Sequence, residues 1–174
     1  MADRVRFLLT DYRALEGSFD RIVSIEMLEA VGARYFDTFF QCCDRLLRPG
    51  GRAAIQVITI PDQRYAAYRA GCDWIQQYIF PGGLLPSLSA LCVSMTRASR
   101  FIVEHLENIG PHYARTLRRW HEEFLAREGE IRAMGFDDVF VRTWRYYFAY
   151  CEAGFGERIL ENLQLVLPRP GRRD

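Results

Sequence analysis

The order of apolar and polar positions along the first third of the chain predicts an α/β fold. Residues 5–9 and Phe19–Ile25 are short apolar runs typical of buried strands. Across residues 35–47 the apolar side chains return at helical spacing, and a Pro-Gly-Gly sequence that ends helices follows. Residues 52–60 are almost continuously apolar, as strands of parallel sheets are. Strand, loop, strand, helix and strand in this order predict α/β architecture with a mostly parallel sheet.

The rest of the chain also contains both predicted helices and predicted strands. Residues 62–100 have a helical pattern, interrupted at 80–86 by an apolar turn rich in Pro and Gly. Strand character is predicted for 101–103, ending near 105–107, helices for 113–125 and 137–155, and a closing strand of alternating leucines for 163–167. We find no internal repeat, low-complexity tract or interdomain linker, so the 174 residues are expected to form one domain.

The amino-acid composition argues against several classes of protein. Hydrophobic residues make up 49% of the chain, enough to bury a core. The 23 positive residues, all arginine, face 22 negative ones, and this balance argues against a dedicated nucleic-acid binder. No apolar run approaches the roughly 18 residues of a membrane span, and no signal-peptide pattern is visible, so a cytoplasmic protein is expected. The five cysteines form no CxxC pair and the three histidines lack metal-site spacing, so no metal site is predicted.

The strand ends are where a ligand is expected, because open α/β sheets bind ligands at the carboxyl ends of their strands. Three such ends are visible: the Asp11-Tyr12-Arg13 sequence, the segment from Glu26 to Glu29, and residues 58–60.

Five segments together carry a resemblance to a known family. They are FDRIVSIEMLEAVG (19–32), LLRPGGRAAIQVITIP (46–61), YIFPGGLLPS (78–87), VEHLENIGPHYARTLRRW (103–120) and YYFAYCEAGF (146–155). In this order and spacing they resemble cyclopropane-fatty-acyl-phospholipid synthases, most of all the plant-type branch, over residues 5–170. The resemblance implies the class I S-adenosylmethionine-dependent methyltransferase fold, which is Rossmann-like, with helical insertions that build a lipid pocket. Residues 62–100 are the expected insertion.

The chemistry that the resemblance implies begins with methyl transfer from S-adenosylmethionine to the cis double bond of an unsaturated phospholipid acyl chain. Loss of a proton from the new methyl group then closes a cyclopropane ring, and water must be excluded from the cationic intermediate. The family uses a bound bicarbonate ion as the base. An alternative outcome on the same fold is a methyl-branched or methylene fatty acid.

Site residues follow from the matching segments. The resemblance assigns the bicarbonate ligands to Glu29, Gln56, the backbone of Ile58, and Tyr147, with the neighbouring Tyr146 as the alternative to Tyr147. A carboxylate beside bicarbonate requires a shared proton, so a raised pKa is expected for Glu29. Many bacterial members have His at position 56, and the plant-type branch has Gln.

The cofactor segment of the family matches Asp11-Tyr12-Arg13, in which the carboxylate would bind the adenine amine and the aromatic ring would contact the base. Without the resemblance, Asp11 reads as a strand-end turn residue. Without it, Glu29 is a typical solvated carboxylate at the start of a helix, and the aromatic residues around Tyr147 are typical of a core.

The family's first two strands and its Gly-rich cofactor loop have no counterpart in residues 1–174, so a methyltransferase domain truncated at its N-terminus is expected. Residues 5–9 would then lack a neighbouring strand, and Phe19–Ile25 would be an open apolar edge. A homodimer or a separate N-terminal half is the expected partner, and a non-catalytic subunit is the alternative to an enzyme. The phospholipid substrate implies peripheral membrane contact, for which Arg115, Arg118 and Arg119 beside Trp120 are either a headgroup-facing cluster or a solvated helix face.

Overall fold

The computed structural model describes residues 4–171, in which four strands and eight α-helices form. The strands are β1 (Phe19–Ile25), β2 (Leu47–Thr59), β3 (His105–Asn108) and β4 (Glu161–Pro168). The helices are α1 (Leu28–Val31), α2 (Phe36–Leu46), α3 (Asp62–Ala70), α4 (Trp74–Tyr78), α5 (Leu88–Ala98), α6 (Gly110–Ala126), α7 (Glu128–Ala133) and α8 (Asp138–Gly156). Short 3-10 helices cover Tyr12–Ala14 and Ala33–Tyr35.

The strands form one sheet in the order β1-β2-β4-β3. β1 pairs in parallel with β2, and β4 pairs antiparallel with both β2 and β3. Three strands therefore run in one direction and only β4 is reversed. Because β4 lies between β2 and β3, two of the three pairings are antiparallel, so the prediction of a mostly parallel sheet is wrong for the pairing of the strands.

Two predicted strands are wrong in their placement. Residues 5–9 are outside the sheet, and Phe7 and Leu9 are almost fully exposed. A strand exists only through hydrogen bonds to a neighbour, and in the described chain none lies beside this segment. Residues 101–103 precede the assigned strand, which begins at His105, although the Ile102 N–H already donates to the Pro168 carbonyl oxygen.

β2 begins at Leu47, earlier than the predicted residue 52, so the Pro-Gly-Gly turn belongs to the strand. Gly50 has φ of 77°, a conformation in which glycine carries no steric penalty. At Gly51 a Cβ would lie 2.8 Å from Leu47 Cγ and 3.0 Å from the Asp20 carbonyl oxygen. The turn thus needs glycine for two different reasons, backbone conformation and lack of space.

The main core lies between one face of the sheet and helices α2 and α5. β2 sends alternate residues such as Ile55 and Val57 into it, and α5 adds Leu91 and Met95. α5 is therefore part of the main core layer, which leaves α3 and α4 as the part of the predicted insertion that lies outside it. A second core joins α6 to α8 around the fully buried Leu117.

The opposite face of the sheet is only partly covered. The second core reaches Ile58 near the end of β2. On β1, Val23 and Ile25 keep 68% and 64% of their surface exposed. β1 pairs only with β2 in the described chain, so its outer edge is open, as the sequence predicted.

Candidate functional site

Glu29 lies in α1, the four-residue helix that follows β1. Its Oε1 accepts a 2.6 Å hydrogen bond from the Ile58 backbone N–H, while Oε2 is buried and has no hydrogen-bond partner among residues 4–171. Burial raises the pKa of Glu29, the Ile58 N–H opposes that shift, and the charge of Glu26 adds to it. The shift has the direction expected from the sequence, and its main cause is burial.

Gln56 on β2 lies in a chain of polar side chains at the same end of the sheet. Its Nε2 donates to Glu26 Oε1 at 2.9 Å, and its Oε1 accepts from Gln164 Nε2 at 2.8 Å. Glu26 Oε1 also accepts from Asn162 Nδ2 at 3.0 Å, and Asn162 is fully buried. Both ends of the Gln56 amide are therefore already hydrogen-bonded within the protein.

Tyr147 and Tyr146 on α8, which the sequence left as alternatives, point in different directions. Tyr147 is half-buried, and its ring centroid lies 5.3 Å from that of Trp144 and 6.4 Å from that of Phe80. Burial is the main cause that raises the pKa of Tyr147, and the charge of Glu26 contributes. Tyr146 is half exposed and packs on Trp74 at 4.5 Å. Tyr147 is thus the one of the pair that faces the interior near Glu26.

Sequence reasoning missed several residues of this site, including Asn162 and Gln164 of the polar chain as well as Glu26 and Tyr113. Glu26 lies in a segment that was singled out as a strand end, but no role was assigned to it. Tyr113 on α6 lies within one of the family-like segments, and burial raises its pKa to about 12, with Glu26 and Glu29 adding to the shift. The signal for Glu26 and Tyr113 is their membership in those segments, but contact with the site depends on tertiary packing.

The Asp11-Tyr12-Arg13 segment adopts an internally paired arrangement. Arg13 donates through Nε and an NH2 group to the two carboxylate oxygens of Asp11, at 2.9 and 2.7 Å, and this pairing lowers the pKa of Asp11 to about 2. Tyr12 packs on Phe39 with ring centroids 6.0 Å apart. No hydrogen bond joins this segment to Glu29 or Gln56 in the described part of the chain.

The predicted bicarbonate ligands therefore come together only in part. Glu29, Ile58 and Gln56 are neighbours, but the Ile58 N–H donates to Glu29 rather than standing free for an anion. A protonated Glu29 fits a small anion, because the unpaired Oε2 could donate to it, and the second Gln56 N–H could do the same. The Asp11 carboxylate keeps 47% of its surface exposed, which fits an amine donor from a cofactor.

An open groove of about 450 Å³ lies between α4 and α8. It is lined by Tyr78, Ile79, Asp137, Val139, Phe140, Thr143 and Trp144. Trp144 also packs on Tyr147, with ring centroids 5.3 Å apart, so the groove and Tyr147 share one aromatic neighbour.

Comparison with known proteins shows which family the chain belongs to. The family model for mycolic acid cyclopropane synthetase matches residues 1–165. The chain belongs to this family. It is 45% identical over 168 residues to the tuberculostearic acid methyltransferase of Mycobacterium tuberculosis and 37% identical over 165 residues to the cyclopropane-fatty-acyl-phospholipid synthase of Escherichia coli K12. These alignments cover 97% and 95% of this chain but 39% and 41% of the relatives.

Solved structures of the cyclopropane synthetase family share the fold. A cyclopropane synthase from Mycobacterium tuberculosis matches with a TM-score of 0.82 at 24% identity, covering 96% of this chain and 63% of that one. A mycolic acid cyclopropane synthase complexed with SAH and CTAB matches with a TM-score of 0.81 at 27% identity, covering 92% and 59%. The predicted S-adenosylmethionine-dependent methyltransferase fold is confirmed, and the chain spans about two fifths of the length of its curated relatives.

Membrane-spanning helices and metal-binding clusters are both absent from residues 4–171. No helix there is long and apolar enough to cross a bilayer. No group of three or more His, Cys, Asp or Glu side chains is placed to hold a metal ion in that range.

Proposed function

We propose that this chain is part of an S-adenosylmethionine-dependent methyltransferase that modifies the cis double bond of unsaturated phospholipid acyl chains by cyclopropanation. The observation that carries the proposal is the Glu29 carboxyl, which is held by the Ile58 N–H and has a buried, unpaired second oxygen. A group of this kind can hold or release a proton in surroundings with little water.

S-adenosylmethionine, when bound, supplies the electrophilic methyl group. For the cofactor we propose contacts from Asp11, Tyr12 and Arg13, as the family resemblance implies. Asp11 would keep its bond to Arg13, because three accepted hydrogen bonds still leave a lone pair for the adenine amine.

Bicarbonate, when bound, supplies the base that removes the proton. We propose Glu29, Gln56 and Tyr147 as its ligands, with Ile58 acting through its bond to Glu29 rather than directly. Bicarbonate and an ionised carboxylate would repel each other, so the raised pKa of Glu29 supports this assignment.

The acyl chain would lie along the groove between α4 and α8. Its lining residues Ile79, Val139 and Phe140 are apolar. Phe80, from the predicted apolar turn, packs on the Tyr147 ring with centroids 6.4 Å apart. With an acyl chain bound beside them, these aromatic rings would help keep water from a cation formed near Tyr147.

The product of the reaction has one specific alternative. The relative at 45% identity is named as a tuberculostearic acid methyltransferase, and a Pseudomonas putida relative at 32% identity is named as a probable fatty acid methyltransferase. These names favour a methyl-branched or methylene product as the second candidate.

We propose that further polypeptide covers the open face and edge of the sheet and completes the cofactor site. Val23 and Ile25 on β1 are exposed, as are Phe7 and Leu9 in the preceding segment, and exposed apolar groups of this kind on an open sheet edge are typical of surfaces that another polypeptide covers. This polypeptide would be a preceding segment or a separate N-terminal half; a second copy of the chain, or a non-catalytic role as a subunit, is the alternative.

Peripheral contact of a cytoplasmic enzyme with the membrane is also part of the proposal. Arg118 is paired with Glu152 at 2.7 Å, so Arg115 and Arg119 are the members of the predicted cluster without an acidic partner among the described residues. Trp120 beside them is 48% exposed, and its amphipathic ring suits a lipid interface.

Product analysis tests the reaction. The chain would be assayed alone and joined to the part of the Mycobacterium tuberculosis relative that precedes the matched region, with methyl-labelled S-adenosylmethionine and vesicles of unsaturated phospholipid. Mass spectrometry of the fatty acids should show labelled cyclopropane rings from the joined protein and none from the chain alone. Labelled methyl-branched acids would establish the alternative, and absence of lipid label from a joined protein that binds the cofactor would contradict both.

A further inference from the structure

Glu26 adopts a backbone conformation that a glutamate rarely takes. Its φ is 50°, in the left-handed region, and Arg158 with φ of 55° is the only other non-glycine residue of the described chain with positive φ. Such strain persists where the surrounding structure over-determines it, and it is concentrated at functional sites. Arg158 lies in the exposed turn after α8, whereas Glu26 is at the end of β1 beside Gln56.

The strained residue is tied to Gln56 at two points. The Glu26 backbone N–H donates to the Gln56 carbonyl oxygen at 2.9 Å, which extends the pairing of β1 with β2. Its side chain returns to the same residue, since Glu26 Oε1 accepts from Gln56 Nε2 at 2.9 Å. The fully buried Asn162 fixes that carboxylate from the other side at 3.0 Å.

The chemistry of its two side-chain partners, Glu26 and Gln164, determines the direction of the Gln56 amide. A side-chain amide can rotate to exchange its donor and acceptor ends, and Gln164 can rotate with it. An ionised carboxylate only accepts hydrogen bonds. Of the two side chains bonded to the Gln56 amide, Glu26 is therefore the one of fixed polarity, and it requires Nε2 to face it.

We propose that Glu26 is a positioning residue that holds Nε2 of Gln56 toward itself and thereby directs the second N–H of that amide into the site. The left-handed backbone at Glu26 is the means by which its carboxylate turns back toward β2. The inference rests on the proposed function, because the use of a Gln56 donor in catalysis belongs to that proposal.

Three variants test the inference. Glu26→Gly suits the positive φ and removes the whole side chain, including the acceptor of Asn162 Nδ2, so thermal unfolding of this variant is measured first to show that it is folded. Glu26→Gln keeps an oxygen at the same place, but its amide can rotate to present either a donor or an acceptor to Gln56. Arg158→Gly is the matched control, since it relieves a similar backbone conformation in an exposed turn.

The first readout is the side-chain NH₂ signal of Gln56 in the ¹⁵N-labelled 174-residue chain, assigned by its loss in Gln56→Glu. In the wild type and in Arg158→Gly, the two protons should be well separated in shift and slow to exchange. In Glu26→Gly the shifts should approach those of a free glutamine and exchange should accelerate at least tenfold, with Glu26→Gln in between. An unchanged signal in Glu26→Gly, or an equal change in Arg158→Gly, would overturn the inference.

The second readout is methyl transfer by the joined protein described above. Glu26→Gly should lower kcat at least tenfold with little change in the KM for S-adenosylmethionine, and Glu26→Gln should recover part of the loss. An unchanged kcat would overturn the catalytic part of the inference. If the wild-type joined protein transfers no methyl group, the proposed function fails, while the amide signal still decides whether Glu26 positions Gln56.

Discussion

At the scale of single residues, Glu29 is the centre of the proposed site, and burial raises its pKa. It is the second acidic residue after β1, and the short helix α1 places its carboxyl against β2. The desolvation that raises its pKa acts against folding whenever the group is ionised. Function and stability are therefore opposed at this position.

The pH dependence of stability should show this opposition. A carboxyl whose pKa is higher in the folded state contributes stability that is present at low pH and is lost as pH rises through the raised value. Glu29→Gln removes the charge and keeps an acceptor for the Ile58 N–H, so its Tm should exceed that of the wild type at pH 8 and match it near pH 4. Thermal unfolding at both pH values checks this, and a lower Tm for the variant at pH 8 would contradict it.

Sequence alone recovered the residues that lie on contiguous motifs and missed those that depend on register. Glu29, Gln56 and Ile58 are neighbours in the structure, as the family segments implied. The link from Glu26 to Asn162 joins residues 136 positions apart and forms because β4 pairs with β2 in one particular register. No local pattern contains that information.

At the scale of elements, prediction succeeded where the described chain supplies a neighbour, which is β2 for the strand β1 and the main core for helix α2. β1 was predicted with the bounds that the structure shows, and helix α2 within one residue at each end. The apolar run at 5–9 does not form a strand, because a strand needs a hydrogen-bonded neighbour. An apolar sequence pattern indicates that a segment can be buried, but not which segment would pair with it.

The pairing of α6 with α8 allows a matched test of packing. Leu117 is fully buried between these helices, while Leu125 on the same helix is 40% exposed. Leu117→Ala should lower the free energy of unfolding by about 2–4 kcal/mol, because it removes buried methyl groups and leaves a cavity. Leu125→Ala should lower it by less than about 1 kcal/mol.

Urea denaturation followed by circular dichroism measures both values. Equal losses for the two variants would show that α6 is not anchored through Leu117. The helix also carries Tyr113, so a loosened α6 would displace one wall of the site.

At the scale of the whole molecule, two findings agree. The chain matches its curated relatives over about two fifths of their length, and one face and one edge of its sheet are open. The described residues include the proposed bicarbonate ligands Glu29, Gln56 and Tyr147. Of the proposed cofactor contacts, they include those of the Asp11-Tyr12-Arg13 segment. We therefore expect catalysis only when further polypeptide covers β1.

The most direct test of the central claim compares wild-type and Glu29→Gln forms of the joined protein for transfer of labelled methyl groups to phospholipid. The rate of the variant should be at least about 100-fold lower, because general acid–base catalysis is of this order and the proposed base would lose the carboxyl that binds it. Affinity for S-adenosylmethionine, measured by calorimetry, should stay within about twofold, because Asp11 and not Glu29 is the proposed cofactor contact. Equal rates of label transfer in the two proteins would contradict the account.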